Sequence, residues 1–546
     1  MIDRIDSRIP REKDNASIQR RKLLGVGALA AVTSGITALF GPNTNKANAA
    51  SGEVEKTNLS TQEVSTYLTK WKPETGYGAG ETVVSPSGDV VLAKSAFVSG
   101  STYNPTNWQV STSARLGNDP LDFGASATAD SASAFVAASS SSKTIRLRPG
   151  ATYRIASEAV LQPGTVLEGN GATIQLLLQG HVTASDNCTI KNISFVTGNT
   201  VGFVGGERAV TVRGSNVLIE CCQFIGQNYR HGVVIERPNG GSCDNCTIRH
   251  NKFSNIGYGI LKQGGPIANP CTAHFLAIHD NTFKTVRRGD AIELNAGADH
   301  DILIASNIID DVTAGTLNYA GFGIAVAGLS GYSSPEADRL RRCLITNNIV
   351  TNVERTAIHA EVAARIEIRN NHIEQTATNY EKIGTGIAIY GSINCTIQSN
   401  SIYNFNTGIL DGIGYINGEN IISTDKNRIR DNDITYCIVG ISEGVAGEGK
   451  TAHVERNTLT SCTTGIKQFG AASGVYYTAN TLVACSTALN IDANPAAKLS
   501  VAANNRRINL KDNQIFTLDS SNPSNVFSNL FGTTVTGDGN NFNLPV

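Results

Sequence analysis

The stretch "IEIRNNHIE", residues 366–374, places Ile366, Ile368 and Ile373 among charged and polar residues, with two asparagines at its centre. Alternation of this kind gives two short strands, each with one apolar face, on either side of a tight turn. The same h-x-x-N-x-h pattern occurs twelve times, from "TIKNISF" to "NLKDNQI", with anchors from Ile190 to Leu510 spaced 23 to 41 residues apart. Three residues after an anchor stands Asn251, Asn281, Asn307, Asn348, Asn371, Asn400, Asn432, Asn457, Asn480 or Asn513. Only the first two repeats differ, with Ile193 and Cys222. Asn tolerates a left-handed backbone, and stacked amides can bond from one repeat to the next.

A second motif follows most anchors: "YGIL", "DAIEL", "FGIAV", "TAIHA" and "TGIAI" are examples. Each repeat therefore supplies at least two short strands and cannot bury its apolar face alone, which is the signature of a solenoid. The predicted fold is all-β, a right-handed parallel β-helix of about 12 rungs. A leucine-rich repeat fails for want of its leucine pattern. Cys188, Cys246, Cys343 and Cys395 lie two residues before anchors, and Cys437, Cys462 and Cys485 eight after, so both sets are expected as stacked interior thiols.

Aligning the second strands on Ile260, Ile292, Ile324, Ile358, Ile387 and Ile409 makes those residues inward and their neighbours outward. The first outward row is Leu261, Glu293, Ala325, His359, Ala388, Leu410; the second is Gln263, Asn295, Ala327, Glu361, Tyr390, Gly412. Glu293 then faces His359 and Glu361 across two rungs, roughly 10 Å, over an alanine floor. That gap suits the two carboxyls of an inverting glycosidase better than the shorter spacing of a retaining one. Glu293 is expected as the acid and Glu361 with His359 as the base. Asn295 and Tyr390 are candidate substrate contacts, and Asp290 either binds substrate or shapes the turn. The long insertion "GLSGYSSPEADRLRR" offers Tyr332, Glu336 and Arg339 as further binding residues. Asp299, His300 and Asp301 are expected in a solvated turn. No metal ligand set is assigned and hydrolysis needs no cofactor. A lyase would want Ca2+, for which Asp290, Asp310 and Asp311 are the available oxygen donors.

The rest of the chain frames this solenoid. Charged residues are 17% and the formal charge is −1, with no basic stripe for nucleic acid. Residues 1–49 carry Arg20-Arg21, a mildly apolar stretch and Ala47-Asn48-Ala49, the pattern of a twin-arginine export signal. Its removal takes 8 Lys/Arg and 4 Asp/Glu from the 45 and 46 present, leaving a net charge of −5 and no membrane segment. The expected location is periplasmic or secreted. Residues 50–70 are expected to be a linker, and 71–115, with Trp71 and Trp108, a small β module. The β-helix is expected over 116–546, capped by a short helix around Ser131–Ser139.

Several of these features resemble known families. "DFGA", the short helix and the strand after it resemble the opening segment of the pectate-lyase-like superfamily, where a helix caps the β-helix. The tryptophan-bearing segment resembles small modules found ahead of polysaccharide-acting domains, so it stands either as a carbohydrate binder or as a spacer with an aromatic core. "YGILKQG", "GDAIELN", "DILI", "GFGIAVAGLSGY…PE", "IHAE" and "AIYG", in order over 258–416, resemble the WcaM family of colanic acid biosynthesis proteins and related phage tailspike depolymerases. By that resemblance Asp290, Glu293, His359 and Glu361 match residues of the family. Leu294 stands where the relatives place Trp, which implies a lost sugar-stacking platform. The resemblance implies an acidic or fucose-containing polysaccharide as partner. Four readings follow: a glycoside hydrolase, a lyase on a uronic-acid polymer, a non-catalytic polysaccharide binder, and a tailspike depolymerase. The export signal and the lack of C-terminal heptads weigh against the last. Oligomeric state stays open.

Overall fold

A computed structural model describes residues 70–491, interrupted at 80, 87–89, 111–118, 178, 198–206, 227–229, 264–270, 296–298, 316–319, 329–338, 413, 417–419, 423, 445–446 and 469–471, together with strand segments between 506 and 543. The export signal, the linker up to residue 69, Tyr332 and Glu336 lie outside the described residues.

Three parallel sheets of 15, 14 and 16 strands run the length of the solenoid among the described residues. One rung shows the plan. An anchor strand, Thr189–Lys191, is followed by a second strand, Ser194–Thr197, and a third, Arg208–Val212, before the next anchor strand, Leu218–Glu220. Each strand pairs with its counterpart one rung on, so that Ile190 lies beside Ile219 and Phe195 beside Phe224. These three sheets, here the anchor, middle and groove sheets, enclose one continuous apolar core. Phe195, Phe224, Phe253 and Phe283 stack along its inside with ring centroids 5.2, 4.7 and 4.6 Å apart.

The asparagines form a ladder inside the wall. Asn348 Nδ2 donates to Ile304 O on the rung before (3.1 Å) and to Asn371 Oδ1 on the rung after (3.0 Å), while Asn348 Oδ1 accepts from the backbone N–H and Nδ2 of Asn307. Equivalent bonds run from Asn251 to Asn480, every member 2% exposed or less. The left-handed residue is not the asparagine, as the sequence led us to expect, but the residue before it. His250, Asp280, Ser306, Asn347, Asn370, Ser399, Asp431, Arg456 and Ala479 all have φ between 53° and 56°. That twist turns the following amide into the wall, where it replaces backbone partners lost at the corner.

The recurring Gly before the groove-strand Ile also has a steric cause. A Cβ on Gly259 would lie 2.3 Å from Ala291 O, and one on Gly323 would lie 2.6 Å from Ala357 O. All eleven cysteines are free thiols and ten are buried, including the seven expected in two interior stacks. Burial pushes the Cys222 and Cys246 thiols up to about 12, as befits small apolar fillers. At the N-terminal end the helix Ala132–Ser141 covers the first rung, its buried Phe135 meeting Tyr153 edge-on at 5.6 Å. Residues 70–110 hold a separate antiparallel unit in which Trp108, 4% exposed, packs edge-on against Tyr77 and Phe97. Trp108 is thus core, while Trp71 is half-buried against Tyr103.

Replacing Asn348 with Ala strands the Ile304 carbonyl and the Asn307 N–H. Asn348→Ala is expected to cost about 2–4 kcal/mol in denaturant unfolding, whereas His372→Ala on the exposed face costs under about 0.5. Equal losses from the two changes would show that the ladder does not carry stability.

Candidate functional site

The groove sheet has the register predicted from the repeats. Leu261, Glu293, Ala325, His359 and Ala388 lie side by side in consecutive rungs, and so do Gln263, Asn295, Ala327, Glu361 and Tyr390. Strand neighbours are about 4.8 Å apart, so Glu293 and His359 stand roughly 10 Å apart across Ala325. Nε2 of His359 lies 3.4 Å from Glu361 Oε2. The imidazole is 6% exposed, stacks on Phe322 at 4.7 Å and 6°, and has Tyr390 5.4 Å away on its other side. Its Nδ1 has no hydrogen-bond partner among the described residues.

Asp290 does not face the solvent as a substrate ligand would. It is 2% exposed, and its Oδ1 accepts from the N–H of Gly321 (2.9 Å) and Phe322 (2.8 Å) in the following rung. Its carboxyl is hydrogen-bonded to Glu293. Burial, then the Glu293 charge, push Asp290 well above the usual carboxylate range, and the two N–H bonds offset this only in part. Within this pair, burial and the adjacent Glu293 carboxyl favour the protonated form of Asp290. Glu293 is the half-buried member, and it faces the strip.

Phe322 was not foreseen. Simple alternation from Ile324 would put the residue two before it inside. The chain bends at Gly323, whose Cβ position is filled by its neighbours, so Tyr258, Asp290 and Phe322 share the outer side instead. The only cue in the sequence was the small residue at that step.

Other expected residues are placed elsewhere. Asn295 and Tyr390 are half-buried on the strip's second row. Arg339 is 9% exposed, with Nη1 donating to Gly391 O at 2.6 Å, so its guanidinium ties down the chain beside Tyr390. Leu294 is fully buried in the core, so a larger ring there would be an interior residue and not a sugar platform. Asp310 is bonded by Thr351 and Asn352, and Asp311 by Arg287 and Tyr380 on the middle sheet, so neither converges with Asp290.

The turn at 299–301 is not solvated as expected. Asp299 is 1% exposed and pairs with Lys262 Nζ at 2.8 Å inside the wall, where Nζ also donates to Cys271 O at 2.7 Å. Lys262 occupies the inward position after Leu261, a place that alternation assigns to apolar residues. Asp301 accepts from Arg342 Nε at 2.7 Å. Burial alone would raise it, but Arg342 and His300 hold it below the ordinary carboxylate value.

The family model described as colanic acid biosynthesis WcaM matches residues 89–445. Among curated proteins none matches the chain. Among solved structures, the Azotobacter vinelandii mannuronan C-5 epimerase AlgE4 A-module is similar at 15% identity and a TM-score of 0.42, over 64% of this chain and 98% of that one. Bacteriophage CBA120 tailspike protein 3 is similar at 11% and 0.39, over 88% and 79%. The catalytic unit of the Streptomyces thermodiastaticus GH87 alpha-1,3-glucanase is similar at 13% and 0.38, over 84% and 79%.

Removing one partner of the Lys262–Asp299 pair leaves a buried charge. Lys262→Met is expected to cost about 3–5 kcal/mol, and adding Asp299→Leu to recover only part of it, since Cys271 O and the Ala273 N–H then lose their partners. Double-mutant unfolding measures this, and no recovery would mean that the pair is not isolated in the core.

Proposed function

Because the chain belongs to the WcaM family of colanic acid biosynthesis proteins, we propose that it is a glycoside hydrolase acting on an exopolysaccharide of colanic-acid type, with inversion. The observation that carries this reading is the placement of two carboxyl centres two rungs apart across Ala325 and Ala327. Inverting glycosidases hold their carboxyls about 6.5–9.5 Å apart to leave room for a water, and side chains leaning in from strands roughly 10 Å apart can meet that span. Retaining enzymes need about 5–5.5 Å.

The roles follow from the two environments. The hydrogen-bonded Asp290–Glu293 pair shares the acid's proton, and Glu293, its half-buried member on the strip, passes it to the glycosidic oxygen. The N–H groups of Gly321 and Phe322 then hold the carboxylate left on Asp290. Asp290 is thus a positioning residue for the acid and does not touch the sugar. Glu361, beside His359, accepts a proton from the water that attacks the opposite face of the ring. Asn295 and Tyr390, half-buried on the second row, offer contacts to substrate hydroxyls. Tyr332 and Glu336 are proposed as further substrate-binding residues. The proposed compartment is the periplasm or outside, reached through the signal in residues 1–49. Eleven unpaired cysteines suit a chain that folds in a reducing cytosol before export.

The mature protein incubated with colanic-acid-type polymer is expected to release new reducing ends without ultraviolet absorbance. Absorbance at new ends would indicate elimination and overturn the hydrolytic reading. Glu293→Gln and Glu361→Gln should each lower kcat at least ~100-fold with unfolding curves unchanged. Asp290→Asn removes the buried carboxyl that holds a proton beside Glu293, leaving Glu293 alone to supply one. The alkaline limb of its pH–activity profile is expected at lower pH than in the wild type, and an unmoved limb would show that the pair does not set it.

A further inference from the structure

We infer that the sugar residue seated between Glu293 and His359 is uncharged, a neutral pyranose, even where the polymer around it carries carboxylates. This deepens the hydrolytic reading above and rests on it. The strands that build the strip read "IELN", "FGIAVA", "TAIHAE" and "TGIAIY". They contribute Glu293 and Glu361, with Asp290 two residues before the first strand, and contain no Lys or Arg.

Three cations in these rungs have other partners. Lys262 points inward to Asp299, Arg339 bonds the Gly391 carbonyl, and Arg287 bonds Asp311. Arg288 and Arg355 stand at the corner before the outward rows begin, beyond Asp290 and Thr356. A uronate bound over Ala325 would put a third carboxylate between Glu293 and Glu361, in a site already partly withdrawn from water. Like charges at that range repel strongly, and no charge-assisted donor faces them from the strip's own strands. What lies between them is instead apolar: the buried Ala325 and Phe322 and the half-buried Ala327. Such a floor takes the C–H face of a neutral sugar. A carboxylate elsewhere on the polymer can be carried at the corner, toward Arg288 and Arg355. The same reasoning disfavours β-elimination, which requires a carboxyl group on the residue being cut.

The test uses one exopolysaccharide in two forms, native and carboxyl-reduced, the second having every uronic acid converted to a neutral hexose. The expected result is cleavage of both within about threefold, with a neutral aldose at each new reducing end, identified by borodeuteride labelling and sugar analysis. A uronic acid at the new end, or a loss of more than about tenfold on the reduced polymer, overturns the inference. If neither polymer is cut, the hydrolytic reading fails by itself, and retention in affinity electrophoresis then decides the charge question. A neutral seat predicts that both forms retain the wild type, and that Ala325→Lys and the more exposed Ala327→Lys weaken retention of both. Tighter retention of the native form by either folded variant, or no retention of the wild type by either polymer, overturns it.

Discussion

The asparagine ladder is the constraint on which the rest of the molecule depends. Each amide bonds both to the rung before it and to the rung after it, so from Asn251 to Asn480 it fixes the height and the register of successive rungs at one corner of the solenoid. Register decides function here because side chains alternate. A slip of one residue in the strand Ile292–Asn295 would turn Glu293 into the core and expose Ile292. The carboxyl pair, the alanine floor and the His359–Glu361 contact therefore exist only because the wall is locked two corners away. A solenoid needs such a lock, since its contacts are local and no distant element corrects an error.

Much of this was legible in the sequence, and for a physical reason. The anchor Ile and the Asn three residues later recur because they face the same closed environment in every rung. Counting from them places Glu293, Ala325 and His359 in one row, as the pairing shows. Interior cysteines were legible for the same reason.

What escaped the sequence lies where the period breaks. Alternation assigns Lys262 to the core, but its partner Asp299 arrives from the following turn, and no local pattern links the two. The bend at Gly323 brings Phe322 to the outer face, against a strict period of two, so the aromatic wall behind His359 was missed. Asp290 was visible as an acid beside Glu293. That it is buried, and bonded by the backbone of the next rung, depends on how the chain returns at Gly321. The left-handed residue was expected at Asn and lies one residue earlier, because the amide must point into the wall to bond.

The account comes down to whether a sugar sits between Glu293 and His359. The most direct measurement is a crystal structure of Glu293→Gln soaked with an oligosaccharide of the exopolysaccharide. The account predicts a pyranose ring over Ala325 and Ala327, with the glycosidic oxygen toward position 293 and a water held by Glu361 on the opposite face. An oligosaccharide bound only elsewhere on the molecule, with that strip empty, would contradict it.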